Sequence, residues 1–93
     1  MLFLVISNPA PSRPSDMRRH RQNYWEWIES VQSKGMLRDA YSRAGRGAVA
    51  LFDVDSNETL HALLNEWTEI VPAEFQIVPL IDPEAARTYL RPQ

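Results

Sequence analysis

The sequence contains no cysteine, which excludes disulfide scaffolds, thiolate metal sites and cysteine nucleophiles together. Histidine occurs only twice, and neither His20 nor His61 stands in a His-x-His or His-Glu-x-x-His spacing. No metal site is expected from them. The segment Asp53-Val54-Asp55-Ser56-Asn57 resembles the start of a calcium loop, but the sixth place is Glu58 instead of glycine and the twelfth is Leu64. Calcium is rejected on that ground. Glycine is scarce, with 3 residues, and Gly45-Arg46-Gly47 is too short for a phosphate-binding fingerprint; it turns a hairpin more simply. No apolar run approaches the roughly 20 residues of a membrane helix. The Met1–Ile6 run is too short for a signal segment and has no basic flank. A cytoplasmic chain with no membrane partner is the expectation. Excess charge of one sign is also missing, since 10 Lys+Arg face 12 Asp+Glu for a net −2. That disfavours a nucleic-acid partner. The Arg18-Arg19-His20-Arg21 run spreads around a helix axis and reads as a solvated face.

What is present is ordinary globular composition, 44% apolar and 24% charged over 93 residues, enough for a single domain over 1–93. Leu2 to Ser7 reads as a buried strand. Pro9, Pro11 and Pro14 then exclude helix or central strand. Ser15 or Asp16 is the expected cap of a helix closed by Gly35, with Met17, Tyr24, Ile28 and Val31 on one stripe. Met36–Ala44 and Ala48–Val54 form a hairpin around the glycine turn. Ser56 caps a second helix, with Glu58 in its first turn and Leu60, Leu63, Leu64 and Trp67 on one face. Phe75–Leu80 is the fourth strand, placed at an edge by Pro79. Asp82-Pro83 opens a short terminal helix.

The order β-α-β-β-α-β plus a tail is the α+β, ferredoxin-like arrangement, with both helices on one face of a four-stranded antiparallel sheet. A sheet covered on one side alone alternates apolar with polar residues. These strands do not: Leu2, Leu4 and Ile6 oppose Phe3 and Val5, and Val49 and Leu51 oppose Ala48, Ala50 and Phe52. The uncovered face needs a partner, and a second copy is the simplest, giving a homodimer or higher homo-oligomer.

Met1-Leu2-Phe3, Gly35 after an aromatic helix, Phe52-Asp53-Val54-Asp55-Ser56-Asn57 with Leu60-His61 and Leu63-Leu64, and Val78-Pro79-Leu80 together resemble the muconolactone isomerase family. The resemblance spans nearly the whole chain and is most specific over Phe52–Leu64. It implies a dimeric α+β barrel and a cofactor-free enzyme that shifts a double bond in an unsaturated lactone by moving one proton. The chain departs from the family after the second helix, where Trp67-Thr68-Glu69-Ile70-Val71-Pro72 keeps only the final proline of the usual loop. Arg38 matches a family arginine and Tyr41 takes the place of an aromatic. The next family arginine falls on Ser42, with Arg43 one place later. A related substrate, a cyclic oxygenated small molecule that is hydrophobic or acidic, follows from those departures.

Such chemistry needs a proton carrier, stabilisation of a developing enolate and a cation for a substrate carboxylate. Glu26 or His61 is the expected carrier, Tyr41 the hydrogen-bond donor, and Arg38 and Arg43 the anion-binding groups. Tyr24 and Trp27 belong to an aromatic set, with Trp25, Tyr41, Phe52, Trp67 and Phe75, that can wall a cavity for a flat ligand. The rival expectations are a cyclase or cofactor-free monooxygenase acting on polyketide-like aromatics, and a non-catalytic binding subunit.

Overall fold

The computed structural model describes residues 1–13, 15 and 18–90. Pro14, Asp16 and Met17, of which the last two were expected at the head of the first helix, lie outside the described residues. In chain order the elements are β1 (Leu2–Pro9), α1 (Arg18–Ser33), β2 (Leu37–Ser42), β3 (Ala48–Asp53), α2 (Asn57–Ile70), β4 (Ala73–Leu80) and α3 (Pro83–Leu90). The sheet runs β2-β3-β1-β4 with every pair antiparallel. This is the α+β, ferredoxin-like arrangement, and β4 is an edge strand, where Pro79 is tolerated.

The helix ends follow from local chemistry. Gly35 has φ +78°; its N–H donates to Gln32 O at 3.0 Å, and Met36 N–H donates to Val31 O at 3.3 Å. That pair of bonds is a Schellman cap, which a glycine at this position permits without a Cβ penalty. Ser56, extended at φ −157°, caps α2 by accepting from Thr59 N–H at 3.1 Å.

β1 runs two residues further than the prolines suggest. Asn8 and Pro9 pair with Glu74 and Ala73 of β4, whereas the pairing with β3 stops at Ile6. With only one neighbour there, the missing N–H of Pro9 breaks no ladder on the other side.

The core lies between the helices and one sheet face. Phe3, Val5, Ala50 and Phe52 meet Tyr24, Ile28 and Val31 of α1 and Leu60, Leu63, Leu64 and Trp67 of α2. Trp67, 2% exposed, is its hub. Its ring centroid lies 5.4 Å from Tyr24, 5.8 Å from Trp27, 6.2 Å from Phe52 and 5.0 Å from Phe75. The opposite face carries Leu2, Leu4, Ile6, Val49, Leu51 and Val78, all only half-buried. The register sets Leu4 between Leu51 and Val78 and places Tyr41 against Val49. One thin sheet therefore presents apolar residues on both sides. Every residue of α3 is exposed.

Candidate functional site

The sheet end that carries the β2–β3 hairpin opens into a cavity of about 200 Å³. Its floor and walls come from four places. Ser7 and Pro9 end β1, Ser42 through Ala48 form the hairpin, Arg21, Tyr24 and Trp25 come from α1, and Trp67 and Val71 close the back.

Gly47 makes the hairpin side possible. Its φ is +98°, and a Cβ there would stand 2.5 Å from the Ser7 carbonyl oxygen. Only glycine allows that approach. The turn in turn brings two arginines back onto the chain that leaves β1. Arg43 Nη1 donates to Ser7 O at 3.0 Å and to Asn8 Oδ1 at 2.6 Å. Arg46 Nη1 donates to Ser12 O, and its Nη2 donates to Ser12 Oγ at 2.9 Å. Beneath them Ser7 Oγ, buried, accepts from Ala48 N–H at 2.9 Å.

The helix side supplies an aromatic wall and a third cation. Tyr24 is 6% exposed; its ring meets Trp25 edge-on at 5.1 Å and leans on Trp67. Burial pushes its phenol up to about 12, so it remains a neutral proton donor at physiological pH. Its hydroxyl and Arg46 Nε are both buried without a hydrogen-bond partner among the described residues. Arg21 lines the mouth, exposed and with no partner among the described residues. The cavity is therefore cationic, aromatic-walled and supplied with unused donors. No carboxylate or imidazole stands among its described lining residues.

Two of the residues expected from sequence, Tyr24 and Arg43, meet in this cavity. Trp27 stands behind the wall, its ring tilted against Trp67 and its Nε1 donating to Glu66 Oε1 at 3.2 Å. Arg38 occupies a bulge in β2 and points its Nε and Nη2 at Asp53 Oδ2, at 3.1 and 2.7 Å. Tyr41 is 67% exposed on the helix-free face. Glu26 is exposed on α1, and His61, exposed on α2, has Nε2 3.1 Å from the Asn65 amide nitrogen, which donates to it. These last four residues do not share a site within one chain.

Sequence reasoning missed Arg21 and Arg46. Arg46 sits between two glycines, so its environment was hidden in a turn whose closure only the fold reveals. Arg21 belongs to the run read as a solvated face. All four members of that run are exposed, yet Arg21 borders the cavity and His20 Nδ1 donates to Ile70 O at 2.9 Å. An imidazole at the last carbonyl of α2 ties the two helices together.

Over residues 1–93 the chain matches the model of a family described as a domain of unknown function, DUF3303. The chain belongs to the DUF3303 family. No curated protein matches it. Among solved structures, this DUF3303 chain is similar to 5-chloro-2-hydroxyhydroquinone dehydrochlorinase (TftG) from Burkholderia phenoliruptrix AC1100, in complex with 2,5-dihydroxybenzoquinone. The TM-score is 0.75 at 13% identity, over 91% of this chain and 98% of that one. Muconolactone isomerase matches with a TM-score of 0.68 at 24% identity, over 89% and 92% of the two chains. A hypothetical protein, PHS023 from Pyrococcus horikoshii, matches with a TM-score of 0.51 at 14% identity, over 87% and 93%. At these identities the likeness establishes the fold of the DUF3303 chain.

Proposed function

We propose that this chain is a cofactor-independent, isomerase-like enzyme acting on a cyclic, oxygenated and anionic small molecule held in the arginine-lined cavity. The observation that carries the reading is the cavity itself: three arginines and a buried neutral phenol converge on it between two tryptophans. Arg21, the arginine there with no partner among the described residues, receives the ligand's carboxylate at the mouth. The tryptophans flank a flat ring. Removing a proton next to a ring carbonyl leaves an electron pair that delocalises onto oxygen. Donors set in advance stabilise that charge before the proton returns at another carbon. Both enzymes named above, a dehydrochlorinase of a hydroxylated ring and a lactone isomerase, fit that class, and the shared fold supports the reading by analogy.

The proton carrier in this proposal is Glu26 or His61, acting from outside the described lining residues of the cavity. A second reading, a non-catalytic binding subunit, is favoured by one observation: the described lining residues include no group of carboxylate or imidazole type. One experiment separates the two. An unsaturated lactone carboxylate is incubated with the protein in D2O and followed by proton NMR. Catalysed loss of the ring proton signal supports the enzyme, and binding without exchange supports the subunit. Glu26→Gln and His61→Ala then test each carrier, and exchange unaffected by both changes removes them from the mechanism.

The partner belongs to the same proposal. A second copy packs its helix-free face on the first, covering Leu4, Leu51 and Val78.

A further inference from the structure

Two donors in the cavity wall have nothing to donate to among the described residues. The Tyr24 hydroxyl and Arg46 Nε are both buried, and neither finds an acceptor among those residues. Their polar neighbours are satisfied: Ala48 N–H reaches Ser7 Oγ, Arg43 holds Ser7 and Asn8, and the terminal nitrogens of Arg46 hold Ser12. The deficit is confined to two atoms of residues that line one cavity. Buried donors are paired in nearly all native structures, and an orphan calls for a missing acceptor.

We propose that Tyr24 Oη and Arg46 Nε form a two-donor cradle for a single ring oxygen of the ligand, a carbonyl that becomes an enolate. This rests on the anion-binding reading above and divides the ligand between two subsites. Arg21 takes the carboxylate at the mouth, and the cradle takes the ring oxygen at depth. The substrate class is thereby narrowed to cyclic oxo acids, in which one molecule carries both groups. Both donors are set before the ligand arrives. Ser12 fixes the guanidinium plane from its far edge, and the Tyr24 ring is held against the buried Trp67 at 5.4 Å. Preset donors lose little on binding and gain most as charge develops on the oxygen. Trp25, 42% exposed, is the solvent-facing part of the wall, so in this proposal the ring oxygen reaches the donors by displacing its indole.

The test uses the full chain and two probes differing in one oxygen, 4-oxocyclohexanecarboxylate and cyclohexanecarboxylate, titrated by tryptophan fluorescence and ligand NMR. The expected result is a preference of about tenfold or more for the oxo acid. Tyr24→Phe erases that preference and leaves the affinity for cyclohexanecarboxylate within about twofold, whereas Arg46→Lys, which also loosens the grip on Ser12, erases the preference at whatever affinity remains. Arg21→Gln weakens both acids alike and keeps their ratio. Equal affinity of the unaltered protein for the two acids overturns the cradle while the anion site stands, as does a preference that survives both cradle variants. Binding of neither acid removes the anion site, and the cradle with it. If Arg46→Lys does not fold, Tyr24→Phe decides alone.

Discussion

Arg46 reaches back 34 positions to hold Ser12 by its carbonyl oxygen and its hydroxyl at once. That grip fastens the proline-rich segment after β1 to the hairpin and closes one side of the cavity. Arg46→Ala leaves the segment untied and is expected to cost about 1–2 kcal/mol, the range for charge-assisted bonds at a partly buried site. Urea unfolding measures the loss. Faster hydrogen exchange of the Ala10 amide, which donates to Pro72 O at 3.0 Å, reports the local release, and unchanged exchange would remove the fastening role.

Gly47 and Gly35 both have positive φ but differ in surroundings. A Cβ at Gly47 meets the Ser7 carbonyl oxygen at 2.5 Å, whereas at Gly35 nothing lies within 4 Å. Gly35→Ala is expected to cost about 1 kcal/mol for conformation alone. Gly47→Ala adds a backbone clash and is expected to cost at least about 2–3 kcal/mol. Parallel denaturant midpoints give the comparison, and equal losses would mean the hairpin backs away from β1 freely.

Tyr24→Phe offers an uncommon combination. Removing a hydroxyl that has no partner is expected to leave stability unchanged or raise it by up to about 1 kcal/mol, while oxo-acid binding falls. The phenol's folded pKa, about 12, lies above the ordinary value of 10.0. The neutral form is therefore favoured by folding. That contribution is complete below about pH 10 and is lost as pH rises through 12. The Phe variant is expected to lack this part of the alkaline decline, which melting temperatures at rising pH will show.

The Asp55 carboxyl behaves with the opposite sign. The Thr59 hydroxyl, 2.6 Å from Asp55 Oδ1, holds its pKa below the ordinary value of 3.8. Its contribution is present above that value and disappears as pH falls through the depressed one. Asp55→Asn is expected to flatten the acid limb of the stability profile. Ser56→Ala, which removes the cap of α2, is expected to cost about 1 kcal/mol at neutral pH.

A charge on the helix-free face tests the proposed pairing. Leu51→Lys is expected to leave the chain folded but monomeric in sedimentation, since Leu51 lies outside the core and a lysine cannot face a partner's apolar sheet. Trp67→Ala, by contrast, is expected to cost about 3–5 kcal/mol as the centre of the aromatic cluster. An assembly unaffected by Leu51→Lys would place the contact elsewhere.

The element order, the Gly35 and Ser56 caps, the edge position of β4 and the two apolar faces were legible in the chain itself. They depend on period, on capping chemistry and on proline, all of which act over a few residues. The cavity was not legible in this way. Tyr24 carried an aromatic signal, but Arg46 lay in a turn and Arg21 in a charged run, and nothing local marks either as facing a cavity. Arg38 and Tyr41 looked equally suited to bind an anion, yet a bulge at Arg38 and the strand register turn them toward Asp53 and the helix-free face. Local sequence determines which residues form strands and helices because those choices are made by neighbours three or four positions apart. Which polar groups meet, and which buried donors are left without an acceptor, is decided only when contacts more than thirty residues apart, such as Arg46 with Ser12, close the chain on itself.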